Sequence, residues 1–180
     1  MKPIFLIGYM ATGKTTLGHA LAARTGMRFV DLDDEVEHMA GVTIGEIFEL
    51  HGQEAFRVME REALCRLAGC RDVIVACGGG TPCYFDNMDV MNAAGITVWL
   101  SASPDRLMRR LVEGKASRPL IAELSDDGIA ALVDRHIRER SPWYARAAER
   151  FDSSLLETPA EIESTCRRFI ENIIDKKSDD

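Results

Sequence analysis

No apolar run in this chain approaches the roughly 18 residues that a membrane-spanning helix requires, so no transmembrane segment is expected. Positive charge is in the minority. The 22 Lys and Arg face 29 Asp and Glu, a net charge of −7, and bulk charge therefore predicts no nucleic-acid surface. Cysteine is sparse: Cys65, Cys70, Cys77, Cys83 and Cys166 form no C-x-x-C pair and no zinc spacing, with His51 the only nearby histidine. Free thiols in a reducing cytoplasm are the expectation. The first residues run straight into an apolar stretch, so no signal peptide is expected. No internal repeat and no low-complexity segment stands out. What the chain has is a core. With 46% hydrophobic residues in 180, one globular domain spanning 1–180 is expected. No broad exposed apolar stripe is evident, and a monomer is the default expectation.

Four apolar runs read as strands of a parallel sheet: Ile4–Ile7, Phe29–Leu32, Val73–Cys77 and Thr97–Leu100. A fifth, weaker run lies at Arg150–Asp152. Helical stretches separate them, the alternation of an α/β fold. Thr16 to Thr25 carries Leu17, Ala20, Leu21 and Arg24 at helical spacing, with Gly26 as its stop. Thr43-Ile44-Gly45-Glu46 has the form of a capping box that opens a short helix, which His51-Gly52 interrupts. A second helix then runs to about Leu67. Ser103-Pro104 and Thr158-Pro159-Ala160-Glu161 each start a helix, with Ser103 expected to cap. The tail from Lys176 to Asp180 is expected to fray.

Between the first strand and the first helix stands Gly8-Tyr9-Met10-Ala11-Thr12-Gly13-Lys14-Thr15, which matches G-x-x-x-x-G-K-T. Strand, glycine-containing loop and helix are the context in which that pattern binds nucleotide phosphates. Backbone N–H groups from Ala11 through Thr16 point into the loop, and the helix terminus adds partial positive charge. Lys14 brings a full charge to the β- and γ-phosphates, and the Thr15 hydroxyl is placed for Mg²⁺. The fold expected is therefore a P-loop NTPase, with a central five-stranded parallel sheet flanked by helices.

Asp31-Leu32-Asp33 ends the second predicted strand, where alternation puts both carboxylates on one side, facing the ligand crevice. One can hold Mg²⁺ through water, and the other can receive or orient an incoming hydroxyl. Helix capping alone is the bland alternative for this pair. Asp34 and Glu35 read as the acidic start of a helix. Gly78-Gly79-Gly80 lets a backbone come close to a ligand. Residues 112–127 are rich in turn formers and charges around Lys115 and Arg118, and are expected to form a mobile lid that keeps water from the γ-phosphate.

These parts, in this order, resemble shikimate kinase. The resemblance runs from the first strand to about Pro159. Its specific features are Phe29-Val30-Asp31-Leu32-Asp33, Phe56-Arg57 with Glu60, the triple glycine, Arg118-Pro119-Leu120, and Arg140 with Tyr144. The resemblance implies phosphorylation of the shikimate 3-hydroxyl by MgATP, with residues 34–61 as the acceptor-binding helical region. Asp33 would bind the reacting hydroxyls and act as base. Arg57 and Arg140 would clamp the substrate carboxylate, and Gly79 and Gly80 would touch the ring hydroxyls through their backbone. Lys14 and Arg118 would stabilise the transferring phosphoryl group, Thr15 and Asp31 would hold Mg²⁺, and Arg110 would stack on adenine. The chemistry agrees: the planar Arg fork matches a carboxylate, and phosphoryl transfer asks mainly for positioning and positive charge. The chain departs from the family pattern at Ala11, where glycine is usual, and at Glu157, where some relatives carry Arg. A gluconate kinase-like enzyme, a nucleoside monophosphate kinase and a nucleotide-binding regulatory domain without chemistry are the alternatives. The Asp and Arg constellation fits a hydroxy acid better than a nucleotide.

Overall fold

In a computed structural model of the chain, residues 1–118 and 120–177 are described. Strand β1, Ile4–Ile7, is buried along its whole length. Its side chains alternate: Ile4 and Leu6 enter one core cluster, Phe5 and Ile7 another. A strand apolar on both faces must be covered on both. Strands β2 (Arg28–Asp31), β3 (Val73–Ala76), β4 (Ile96–Ser101) and β5 (Glu149–Asp152) complete the sheet in the order β2-β3-β1-β4-β5. Every pairing is parallel, with Phe5 opposite Val75 on one side and Thr97 on the other.

Helix α1 (Lys14–Thr25) and α7 (Pro159–Phe169) cover one face through Leu17, Leu21, Cys166 and Phe169. Helices α2 (Leu32–Ala40), α3 (Ile44–Ala68) and α4 (Asn87–Ala94) cover the other through Val36, Ile47, Phe56, Leu64 and Met91. Helices α5 (Pro104–Glu113) and α6 (Asp126–Tyr144) enclose a third, smaller cluster of Tyr9, Leu107, Leu111, Ile121, Ile129 and Val133. Ile121, in the middle of the expected lid, is thereby fully buried, so that segment is pinned at its centre. The five cysteines are all free, and among the described residues no helix is long and apolar enough to cross a membrane.

The expected capping box is present at Thr43 with Glu46, and the helix start expected at Thr158 is a second one, with Glu161. Three local expectations are corrected. Strand β2 ends at Asp31 and Leu32 already belongs to α2, so Asp31 and Asp33 are not related by strand alternation. Asp31 is instead the N-cap of α2, its Oδ1 accepting from the Asp33 N–H at 3.1 Å. Helix α1 starts at Lys14 rather than Thr16. Ser103 precedes α5 without a side-chain cap; its own N–H donates to Ser154 Oγ at 2.9 Å. Pro119 of the Arg-Pro-Leu stretch and the tail residues 178–180, expected to fray, lie outside the described residues.

The expected break at Gly52 is real. Helix α3 is two helical segments joined at a kink, where Gly52 has φ 78° and ψ 176°, a region open in practice to glycine alone. Gly52→Ala should lower stability by about 1–3 kcal/mol, read as a lower urea midpoint at unchanged m value. An unchanged midpoint would mean that the chain re-routes the kink without cost.

Candidate active site

Strand order decides which groups meet. The crevice of an open parallel sheet lies beyond the carboxyl ends of its strands. Here β1 delivers the Gly8–Thr15 loop, β3 the triple glycine and β2 the Asp31–Asp33 turn, side by side. Strands β4 and β5 deliver α5 and the residues from Ser153 to Glu157 on the other flank. One flank can therefore take an acceptor and the other a nucleotide, with the loop between them.

On the nucleotide flank a cleft of about 490 Å³ is lined by Ala11, Gly13, Lys14, Thr15, Thr16, Arg110 and Arg118. Thr12, the eighth residue expected there, turns away. It is 3% exposed, its Oγ1 donates to the Tyr9 carbonyl (2.8 Å), and its own carbonyl accepts from Ser153 Oγ (2.6 Å). Ala11 has φ +60°, a left-handed conformation that a Cβ makes costly. Lys14 Nζ donates to the Gly8 and Tyr9 carbonyls, both at 2.9 Å. Burial pushes its pKa down to about 8, opposed by nearby Cys77, Asp33 and Asp31. The Thr15 hydroxyl donates to Asp31 Oδ2 at 3.1 Å. A hydroxyl and a carboxylate side by side beneath the phosphate loop are hard oxygen donors that suit Mg²⁺. Arg110 is spent on protein acceptors: Glu157 Oε1 (3.0 Å) and the carbonyls of Ala11 (3.3 Å), Ser153 (3.2 Å) and Ser154 (2.7 Å). Its flat faces remain. Arg118 Nη1 donates to the Arg110 carbonyl at 3.2 Å.

The acceptor flank is built around two arginines and a glycine loop. Arg57 lies on α3 with Nη1 on Glu60 Oε2 (2.7 Å), and its guanidinium faces the rings of Tyr84 (4.2 Å) and Phe56 (4.9 Å). Its Nε is buried with no hydrogen-bond partner, a costly state for a charged donor. Glu60 is 1% exposed and accepts from Thr81 Oγ1 at 2.5 Å with its other oxygen. A Cβ on Gly80 would stand 2.8 Å from Arg57 Nη2, and one on Gly79 3.4 Å from Arg140 Nη1. The glycines thus let both cations close on the loop. Tyr144, 1% exposed, donates its hydroxyl to the Gly79 carbonyl at 2.5 Å and fixes the loop. No carboxylate among the described residues forms an ion pair with Arg140.

Asp33 stands between the flanks. Burial, then the charges of Asp31 and Glu60, push its pKa up to about 6 against the pull of Lys14 and Arg57. Asp33 is thus an ionised carboxylate near neutrality, with a basicity well above that of a surface Asp.

A family model described as Shikimate kinase matches residues 10–174. The chain belongs to the shikimate kinase family. A shikimate kinase of Phocaeicola vulgatus is 42% identical over 165 residues, 92% of this chain and 94% of that one. A solved shikimate kinase of Bacteroides thetaiotaomicron superposes with a TM-score of 0.90 at 40% identity, covering 94% of this chain and 97% of its own. The shikimate kinase of Acinetobacter baumannii, solved in complex with shikimate, gives a TM-score of 0.82 at 28% identity over 98% of this chain and 95% of its own.

The arginines and glycines that the sequence singled out come together in pairs, Arg57 with Gly80 and Arg140 with Gly79. The structure adds groups that the sequence did not mark. Tyr84, held by Gln53 Nε2 at 2.7 Å, and Thr81 carry no pattern in the sequence. Glu60, which the resemblance sets beside Arg57, is a carboxylate three residues after it on a helix face that otherwise packs Phe56, Ala63 and Leu64.

The raised Asp33 pKa has a consequence for stability. Between the ordinary Asp value near 4 and about 6, the folded chain keeps a proton that the unfolded chain has released, so this group's contribution to stability falls as pH rises through that window. Asp33→Asn removes the penalty. Its stability relative to the unsubstituted chain should improve by about 2 kcal/mol between pH 4.5 and pH 7.5 in urea unfolding. A difference that stays constant with pH would place the titration of Asp33 elsewhere.

Proposed function

We propose that the chain transfers the γ-phosphoryl group of MgATP to the 3-hydroxyl of shikimate, giving shikimate 3-phosphate and ADP, and so serves chorismate and aromatic amino acid synthesis. The observation that carries the reading is the pair Arg57 and Arg140 around Gly79 and Gly80. Arg57 Nε lacks a partner, Arg140 forms no ion pair with a carboxylate, Arg57 lies close enough to act on Asp33, and Arg140 stands against Gly79. An organic anion with neighbouring hydroxyls satisfies all of these groups at once. The working unit proposed is a monomer in the cytoplasm, a compartment that the free thiols suit.

The substrate carboxylate takes the free guanidinium edges of Arg57 and Arg140. Its ring hydroxyls face the Gly79 and Gly80 backbone and Asp33. Asp33 accepts the hydrogen bond of the reacting hydroxyl and takes up its proton as the new P–O bond forms, while the bond from the γ-phosphorus to the ADP oxygen breaks. Lys14 exchanges the Gly8 and Tyr9 carbonyls for phosphate oxygens, and the backbone N–H groups of the loop hold the β-phosphate. Thr15 and Asp31 would hold Mg²⁺, which supplies positive charge between the β- and γ-phosphates. Arg110 offers a flat face to adenine, its edges being taken up by Glu157 and main-chain carbonyls. Arg118 leaves the Arg110 carbonyl for the transferring group when the segment closes.

An ADP-release assay with shikimate, quinate, gluconate and nucleoside monophosphates tests the reading. Turnover is expected with shikimate. Arg57→Ala and Arg140→Ala should each raise the shikimate KM about ten- to hundredfold and spare the ATP KM. Asp33→Asn should cut kcat at least about a hundredfold. Activity on another acceptor alone, or damage confined to ATP binding, would remove the carboxylate clamp. For the lid, hydrogen exchange should slow on nucleotide binding at residues 113–118, on the cleft side of the Ile121 anchor. Exchange there that ignores nucleotide would count against closure.

A further inference from the structure

The acceptor arginine on α6 has no acidic partner to hold it. Its guanidinium hydrogen-bonds the Tyr144 side chain, which the Gly79 carbonyl holds, and one such bond does not fix a long side chain with that much rotamer freedom, so packing must do the rest. Its neighbours lead back to the phosphate loop. The Arg140 guanidinium lies 5.8 Å from the ring of Tyr9. Tyr9 belongs to the loop itself and is 2% exposed. Its carbonyl receives Lys14 Nζ at 2.9 Å and Thr12 Oγ1 at 2.8 Å, so the backbone at residue 9 is fixed by the phosphate-binding lysine. Its side chain runs the other way. The Tyr9 hydroxyl meets His136 Nδ1 at 3.2 Å, and the two rings pack edge to face with centroids 5.9 Å apart. His136 is one helical turn before Arg140 on the same face of α6. Burial, then Arg140 and Arg135, hold the His136 pKa below its ordinary value, which keeps the ring neutral and able to bond the phenol in either direction. The apolar flank of the contact is closed by Leu107, Ile129 and Val133.

We propose that Tyr9 and His136 form a strut between the phosphate loop and helix α6 that sets the position of Arg140, making both of them positioning residues for the acceptor. The proposal rests on the reading that Arg140 binds the acceptor carboxylate. Neither residue touches the reacting atoms. Tyr9 acts through its ring and hydroxyl, and His136 through the turn of helix that it shares with Arg140. The strut also explains why a phenol, with His136 at its edge, stands inside an otherwise apolar cluster. Leu at both positions would fill the space but would fix no angle between loop and helix.

The test is a double-mutant cycle read in steady-state kinetics with shikimate and MgATP. Tyr9→Phe keeps the ring and loses the hydroxyl, and His136→Leu loses the nitrogen. Each should raise the shikimate KM about three- to tenfold, with kcat and the ATP KM within about twofold and the melting temperature little changed. The double variant should be no worse than either single one, because both remove the same contact. His136→Asn, which offers an amide near the Nδ1 position, should restore the shikimate KM. A shikimate KM unchanged in both single variants, or effects that multiply in the double variant, would overturn the strut while leaving the kinase reading intact. An unsubstituted chain that turns over no shikimate would overturn the proposed function, and the strut with it as a device for that acceptor.

Discussion

Lys14 brings an ammonium into the end of a parallel sheet, where burial already weakens its hold on the proton, and the surroundings must answer that charge. They do so in layers. The Gly8 and Tyr9 carbonyls take the ammonium directly, and Asp33 and Asp31 favour it from nearby. Those carboxylates then raise a problem of their own, since burial, Asp31 and Glu60 all disfavour the ionisation of Asp33. Arg57 answers Glu60, and the Thr15 hydroxyl and the start of α2 answer Asp31. Asp33 is left least compensated of the three. Burial and the two neighbouring carboxylates together thus leave a basic carboxylate beside a cationic loop, and no separate device is required to produce it.

Much of this was legible in the sequence. The loop pattern, the α/β alternation and the capping boxes each depend on a few neighbouring residues, and local rules reach that far. The break at Gly52 was legible for the same reason, because a glycine after a helical run has few other uses. The relation between Asp31 and Asp33 was misread. Their spacing of two suits a strand, but Asp31 is a good N-cap, and the acidic residues that follow favour a helix so strongly that β2 stops one residue early. Tyr84, Thr81 and His136 were invisible for a different reason. Each works through a partner from 21 to 127 residues away, and nothing local marks such a pairing. Thr12 shows the converse. It sits inside the loop pattern, yet its hydroxyl serves the Tyr9 carbonyl and its own carbonyl serves Ser153, and neither serves the cleft.

The site also carries costs that its ligands are suited to relieve. Ala11 holds a left-handed backbone angle that glycine would adopt freely, and the loop keeps it there. Arg57 Nε is buried and unbonded although Nη1 is paired with Glu60 and the guanidinium is stacked on Tyr84. An acceptor oxygen at that nitrogen recovers a hydrogen bond that the empty site forgoes, so part of the binding strength is stored in the empty protein.

Strand order has a consequence for how such a chain can diverge. Everything that would contact the acceptor, apart from Arg140, follows β2 and β3, while everything around the nucleotide cleft follows β1, β4 and β5. Insertions or exchanges between residues 34 and 61 can therefore reshape what is phosphorylated without disturbing how the phosphate donor is held. The architecture behaves as a socket with an interchangeable fitting, and α6, reaching across from the donor side with Arg140, is the one part that any new fitting would still have to accommodate.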